Sequence, residues 1–174
     1  MPKIKHAMTS RQCEIAAESY STCLLAQSGY DVFVQYGAHQ QHYDLVALKG
    51  ERTMRISVKG SQDGGWMLAV GYKTKENTYH DAIRDWLAAQ PLDAVFMFVG
   101  FIGVSPGEAP RAYVATPPEI AAHMNQQYLA RGHTALDEDN PTYYPRSKYK
   151  DKLPDAWRYS TERIDTILTT FGQP

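Results

Sequence analysis

The sequence predicts a mixed α+β (α/β) domain, in which a central mixed sheet with an antiparallel meander is flanked by helices. Two observations predict this class. Segments with helical spacing open and close the chain, and segments that alternate apolar and polar residues come as a run of neighbours between them. Runs of strands flanked by helices are typical of such domains. The expected helices cover 9–28, 77–89, 117–130 and 161–171, and the expected strands cover 30–36, 43–49, 53–59, 66–73, 93–104 and 111–116.

Capping residues predict where the helices begin and end. Thr9 or Ser10 is a suitable N-cap for the first helix, and Gly29 ends it because glycine readily takes the left-handed conformation. Thr78 can open the second helix. Pro117 fits the first turn of the third helix, where a missing N–H group costs nothing.

The strands follow from alternation and from one tight turn. The segments 43–49 and 53–59 are separated by a short polar connection around Gly50-Glu51, which predicts an antiparallel hairpin. The segment 93–104 is too continuously apolar for an edge strand, so it is expected inside the sheet.

Composition limits the class of protein. The chain has 174 residues, of which 43% are hydrophobic and 21% charged, as expected for one globular domain and not for a disordered chain. Lys plus Arg number 18 and Asp plus Glu number 19, so the formal net charge is -1. A uniformly basic nucleic-acid-binding coat is therefore excluded, and any basic surface must be local.

The cysteines and the apolar segments predict a cytoplasmic protein. Cys13 and Cys23 lie about 15 Å apart on one expected helix, which is too far for a disulfide. Nothing therefore indicates an oxidising compartment. The first twelve residues do not resemble a signal peptide, and the apolar stretch 94–104 is shorter than the roughly 20 residues of a membrane helix.

The hairpin brings together the residues with the greatest chemical interest. If Gly50-Glu51 is a two-residue turn, Asp44 lies opposite Ser57; a turn one residue later places it opposite Lys59. In either register Asp44, Ser57 and Lys59 share one face of the sheet, because side chains alternate along a strand. The alternative to a functional site is a weak cross-strand ion pair on a solvated face.

The surrounding residues resemble the PD-(D/E)XK nuclease superfamily. The similar run reads Glu18, then Gly29-Tyr30, then Tyr43-Asp44-Leu45, then Ser57-Val58-Lys59, and it covers about residues 10–75 clearly. It looks most like a small branch with a helix glutamate, a YDL segment and a strand ending in Gln-Val-Lys or Glu-Val-Lys. The resemblance implies a restriction-endonuclease-like core over 1–131, with 132–174 as an irregular basic and aromatic tail and a C-terminal helix packed on the same domain.

The resemblance also implies a Mg²⁺ (or Mn²⁺) site. Asp44, Glu18 and the main-chain carbonyl of Val58 would be the ligands, and Lys59 would orient or deprotonate the attacking water. Ser57 departs from the pattern, because similar proteins carry an acid or a glutamine there. Glu18 could supply the missing charge, or Gln62 or Asp63 could move in.

Two further groups of residues have chemical interest. His39 and His42 precede Asp44, but a zinc site needs more ligands, so a polar loop is the preferred interpretation. The segment 141–159 interleaves cations with aromatic residues, which suits nucleic acid, although packing of the aromatics on the domain is the simpler interpretation. The expected nucleic-acid-binding residues are Lys73, Lys75, Arg146, Lys148, Lys150 and Lys152.

These observations leave three functions open. The first is Mg²⁺-dependent hydrolysis of phosphodiester bonds by an endonuclease, with nucleic acid, DNA in the first place, as the partner and no membrane. The second is a catalytically inactive domain on the same fold that binds nucleic acid. The third is a module that binds a protein partner. A homodimer is compatible with cutting both strands of a duplex, but no residue indicates one.

Overall fold

The computed structural model describes residues 8–35, 43–138 and 152–171, which form four α-helices and seven strands. In chain order these are α1 (Ser10–Gln27), β1 (Asp31–Val34), β2 (Leu45–Lys49), β3 (Arg52–Ser61), β4 (Gly65–Met67), α2 (Tyr79–Ala88), β5 (Ala94–Gly100), β6 (Arg111–Ala115), α3 (Pro117–Ala130), β7 (Ala135–Asp137) and α4 (Thr161–Phe171). The predicted α+β class is confirmed. In the described parts of the chain, no helix is long and apolar enough to cross a membrane.

The main sheet has five strands in the order β1-β2-β3-β5-β6. The pairs β1–β2, β2–β3 and β5–β6 are antiparallel, and β3–β5 is parallel. The connection between the two parallel strands runs through α2, as a parallel pair requires a crossover. The sheet is therefore mixed, and β5 is an interior strand as its apolar sequence predicted.

The prediction of a fourth meander strand over 66–73 was wrong. Only Gly65–Met67 is a strand, and it pairs with β7 in a separate two-stranded sheet. A short 3-10 helix over Val70–Tyr72 follows it. The edge of β3 that a fourth meander strand would have used is occupied by β5 along seven residue pairs. β7 itself lies in the tail 132–174, which the resemblance led us to expect to be irregular before its C-terminal helix.

Each face of the sheet carries its own core. Along β3, Met54, Ile56 and Val58 pack with α1 and α4, on the face opposite to Ser57 and Lys59. The other face packs against α2 and α3, with Trp66 and Trp157 among its largest members. Strand β5 is buried on both faces, which explains why its sequence is a continuous apolar run.

Candidate active site

Helix α1 is anchored at its start and held against β3. A capping box between Thr9 and Gln12 satisfies the first free N–H groups of the helix. Cys13 and Ala17, one turn apart, are buried against Gly60 of β3. A Cβ at Gly60 would lie 2.9 Å from the Ala17 Cβ atom and 2.9 Å from the Cys13 carbonyl oxygen. This glycine therefore permits the close approach of α1 to the sheet.

The hairpin takes the first of the two predicted registers. Lys49 pairs with Arg52 and Leu45 with Ile56, so Gly50-Glu51 is a two-residue turn and Asp44 lies across from Ser57. The backbone of Asp44 is fixed on both sides, because its N–H donates to the Ile56 carbonyl oxygen at 2.8 Å and its carbonyl oxygen accepts from the Gln35 N–H at 3.0 Å.

The Asp44 side chain is held by two neighbouring residues of strand β3. Its Oδ2 atom accepts a hydrogen bond from the Val58 backbone N–H at 2.6 Å and a longer one from the Ser57 Oγ atom at 3.4 Å. Both bonds use the same oxygen, so among the described residues Oδ1 has no hydrogen-bond partner. Ser57 is 6% exposed, so the position at which the resemblance leads us to expect an acid carries a buried hydroxyl.

Lys59 is exposed and lies two residues beyond Ser57 on the same strand and face. The strand is fixed here as well, because the Trp66 indole Nε1–H donates to the Lys59 carbonyl oxygen at 2.9 Å. Trp66 is itself buried at 3% exposure. The backbone of Lys59 is thus held in place while its side chain is exposed.

Glu18, one residue after the buried Ala17 on α1, is influenced by the charges of the hairpin. Burial raises the pKa of Glu18 above its ordinary value, and repulsion by Asp44 and then Glu14 raises it further. Arg11 and Lys59 lower the pKa of Glu18 by smaller effects. The aspartate and the lysine of the hairpin therefore both act electrostatically on Glu18, and its part in a shared site stays a prediction.

Asp44, Val58 and Lys59 open into a cavity of about 600 Å³. Sequence reasoning missed two charged residues on its wall, Glu14 and Arg11, which form an ion pair at 2.8 Å. Glu14 lies four residues before Glu18 on the same helix, and this spacing was the available signal. The remaining lining residues that are described are Ser10, Gly60, Gly65, Trp66, Met67 and Leu68.

Gln62 and Asp63 are engaged elsewhere. The Gln62 amide makes two hydrogen bonds to the backbone of Met8, at 3.0 and 2.8 Å, and so ties the chain before α1 to the end of β3. Asp63 accepts from the Ser61 hydroxyl at 2.9 Å and from the Gly65 N–H at 3.1 Å, as part of a turn. These contacts give both side chains structural partners.

The other predicted binding residues lie in different places. Lys73 lines a second cavity, and Lys75 and Lys152 are exposed. Among the tail aromatics, Trp157 is buried at 4% and Tyr159 donates to or accepts from the Ser28 hydroxyl at 2.9 Å, so these two rings pack on the domain. The residues outside the described part of the chain are His39, His42, Arg146, Lys148 and Lys150.

The donor set around Asp44 suits a hard divalent cation. Asp44 and Val58 line the cavity with a carboxylate and a backbone carbonyl, Glu18 is influenced by the charge of Asp44, and Mg²⁺ prefers oxygen ligands. Mutual repulsion between the two carboxylates is the interaction that a divalent cation would relieve. Within the described residues no group of three or more His, Cys, Asp or Glu side chains is arranged to hold a metal. Mg²⁺ commonly needs only one or two carboxylates together with water and substrate phosphate, so the residues fit a weak Mg²⁺ site.

Comparison with solved structures finds two nucleases. The chain is similar to a bacterial homing endonuclease, I-Ssp6803I, with 12% sequence identity over 94% of this chain and 95% of that chain and a TM-score of 0.48. It is also similar to Hjc, a Holliday junction resolvase from the archaeal hyperthermophile Archaeoglobus fulgidus, with 16% identity over 75% of this chain and 91% of that chain and a TM-score of 0.39. No protein-family model and no curated protein sequence matches the chain.

Proposed function

We propose that this protein is a divalent-metal-dependent nuclease that hydrolyses phosphodiester bonds, with Asp44, Glu18 and Lys59 at its active site. The observation that carries the proposal is the fixed carboxylate of Asp44. Its Oδ2 atom is tied to the Val58 N–H at 2.6 Å, its backbone is held on both sides, and it lines an open cavity beside an exposed lysine. An ion pair on a solvated face does not need this support.

The residues have distinct roles in this proposal. Asp44, through the oxygen that does not accept from Val58, would hold Mg²⁺ together with Glu18 and the Val58 carbonyl. When bound, the cation polarises the phosphate and makes water more acidic. Lys59, whose amine is exposed on a fixed strand, orients the attacking water and stabilises negative charge on the phosphate. The arrangement positions reactants on rigid strands, which favours this kind of hydrolysis.

Ser57 leaves the site one carboxylate short of the family pattern. Its hydroxyl is neutral and donates to Asp44, so it lends that side chain support in place of charge. We propose that Glu14, on the cavity wall and four residues from Glu18, supplies the additional negative charge. Its ion pair with Arg11 is exposed on both sides and is weak enough to open when a cation binds.

The buried Ser57 also favours a second candidate function, a nuclease-fold domain that binds nucleic acid without cutting it. A site with one fewer carboxylate binds metal more weakly, and binding of the phosphate backbone needs only local cations. The two candidates differ in one measurable property, because only the first requires a divalent cation.

A cleavage assay with matched variants tests the proposal. Plasmid and single-stranded DNA are incubated with the purified protein in Mg²⁺, Mn²⁺ or EDTA. We expect cleavage only with metal, and a loss of roughly 100-fold or more in Asp44→Asn and Lys59→Gln. Asp31→Asn, which changes an exposed acid of the neighbouring strand, is the control and should cut like the native protein. Equal cleavage by the Asp44→Asn variant would identify a contaminating nuclease and contradict the proposal.

Ser57→Glu separates the two candidate functions. If the native protein is an impaired nuclease, the restored carboxylate should increase Mg²⁺-dependent cleavage. Binding of nucleic acid without cleavage, in both the native protein and this variant, would favour the second candidate. Absence of cleavage, of metal binding and of nucleic-acid binding would reject both.

A further inference from the structure

A second cavity of about 690 Å³ lies between the start of α2 and the chain after α3. Its wall carries three aromatic or imidazole rings in contact. The centroid of the His133 ring lies 5.8 Å from that of Tyr79 and 5.0 Å from that of Tyr128, with interplanar angles of 34° and 38°. Tyr79 is 39% exposed, so part of this aromatic surface is open to a ligand.

The charge of this cavity is positive. Lys73 and Arg131 both line it, and no carboxylate is among its described lining residues. The Lys73 Nζ atom lies 5.3 Å from the centroid of the Tyr79 ring, in a cation–π contact. A cation and aromatic rings at one surface match the two parts of a nucleotide. The phosphate binds to the cation, and the base stacks on the rings.

The wall is built from a strained backbone. Tyr128, Leu129 and Ala130 have φ values of 55°, 58° and 65°, in the left-handed region that non-glycine residues avoid. Such backbone conformations are costly and cluster at ligand sites. The turn is held by a hydrogen bond between His80 Nε2 and the Ala130 carbonyl oxygen at 3.1 Å. Gly132, with φ 82°, completes it, because a Cβ there would lie 3.1 Å from the Tyr79 Cβ atom.

The two cavities are joined by one short segment. Met67 and Leu68 line the cavity at Asp44, and Lys73 lines the aromatic one. Five residues span at most about 18 Å, a distance equal to roughly five steps of nucleic-acid rise. Met67, on the wall of the first cavity, is 81% exposed. A strand that passes the Asp44 cavity can therefore reach the aromatic cavity within a few nucleotides.

We propose that the cavity lined by Lys73, Tyr79, Tyr128, Arg131 and His133 binds an unstacked nucleotide of a single-stranded or unpaired segment, with its base against the rings and its phosphate at the cations. The proposal rests on the proposed function in one respect, namely that the ligand is nucleic acid. It adds the class of substrate, because the bases of an intact duplex cannot reach these rings.

The test measures binding, not cleavage. Fluorescence anisotropy with a labelled oligothymidylate and with a blunt duplex, in EDTA, is compared for the native protein, Tyr79→Ala and Tyr79→Phe. We expect Tyr79→Ala to weaken binding of the single strand about tenfold or more, with Tyr79→Phe close to native because it keeps the ring. The duplex should bind all three alike. Thermal unfolding checks that each variant is folded.

A second variant guards against a loss of binding that is caused by misfolding of Tyr79→Ala. Lys73→Gln changes a surface cation and should reduce the slope of log K against log salt by about one for the single strand. An unchanged slope together with unchanged binding in Tyr79→Ala overturns the proposal. Equal weakening by Tyr79→Ala and Tyr79→Phe, or equal weakening for duplex and single strand, also overturns it.

The outcome is separable from that of the proposed function. Ring-dependent binding by a protein that cuts nothing supports this inference and rejects the nuclease. Cleavage that depends on Asp44, together with binding that is the same in Tyr79→Ala as in the native protein, supports the nuclease and rejects this inference. If the native protein binds neither oligonucleotide, the inference is rejected whatever the cleavage assay gives.

Discussion

Replacing Asp44 should reveal how much of its role is structural. In Asp44→Ala the Val58 N–H loses its partner at 2.6 Å and the Ser57 hydroxyl loses a weaker one at 3.4 Å. In Asp44→Asn an amide oxygen can still accept from Val58, although the charge is gone. We therefore expect the two variants to lose function alike and to differ in stability.

The size of the expected loss of stability follows from the single strong hydrogen bond to Asp44. A bond to a charged acceptor contributes about 1.5–3 kcal/mol, and a neutral one about 0.5–1.5 kcal/mol. Removal of Asp44 also relieves the repulsion that raises the pKa of Glu18, which offsets part of the loss. We expect Asp44→Ala to lower the free energy of unfolding by about 1–2 kcal/mol and Asp44→Asn by less than half of that.

Chemical denaturation and thermal unfolding measure this difference. For a chain of this length each kcal/mol corresponds to about 2–4 °C in melting temperature. Asp31→Asn provides the control, since that exposed side chain has no described hydrogen-bond partner. A variant Asp44→Ala as stable as the native protein, or Asp44→Asn destabilised as much as Asp44→Ala, would refute the role given to the Val58 bond.

One further prediction concerns the approach of α1 to the sheet, and another concerns the ion pair between α3 and α4. Gly60→Ala should lower the free energy of unfolding by about 1–3 kcal/mol and reduce any cleavage, because the new methyl group meets Ala17 and Cys13 and moves α1 with its carboxylates; unchanged melting and cleavage would contradict this. Burial raises the pKa of Glu119, but hydrogen bonds from Arg163 and from the start of α3 outweigh it and lower the pKa below 4.5. This contribution to stability is present above pH 4.5 and is lost as the pH falls through the lowered pKa, so Glu119→Gln should lose less stability than the native protein on acidification; parallel acid-unfolding curves would count against it.

The hairpin could be predicted because its determinants are local. A two-residue turn fixes the register, and the period of two fixes the face, so Asp44, Ser57 and Lys59 were assigned to one surface from the sequence. The structure selects the register with Asp44 opposite Ser57. Likewise the capping box at Thr9 depends on residues three positions apart.

The error in the fourth strand could not be foreseen, because the strand that takes its place beside β3 is β5, which is distant in sequence. Residues 66–73 alternate like a strand, but β5 takes the edge of β3 and buries all seven of its residues there. Trp66 is instead drawn into the second core, with its ring 5.5 Å from that of Phe98. No short loop sets the register of a parallel pair, so local sequence carries little information about it.

The walls of the site were missed for a related reason. Glu14 and the β4 residues reach the cavity only because α1 approaches β3 at Gly60 and because β4 leaves the main sheet. None of the left-handed residues Tyr128, Leu129 and Ala130 is a glycine, and the sequence pattern of α3 continues through them. Both features arise from tertiary packing.

Crystals of the native protein and of Asp44→Asn, soaked in Mn²⁺, show whether Asp44 anchors a divalent-metal site. Anomalous scattering locates the ion without reference to activity. We expect an anomalous peak in the native crystal within bonding distance of an Asp44 carboxylate oxygen and near Glu18, and no peak there in Asp44→Asn. A native crystal with no peak at Asp44, or the same peak in both crystals, would contradict it.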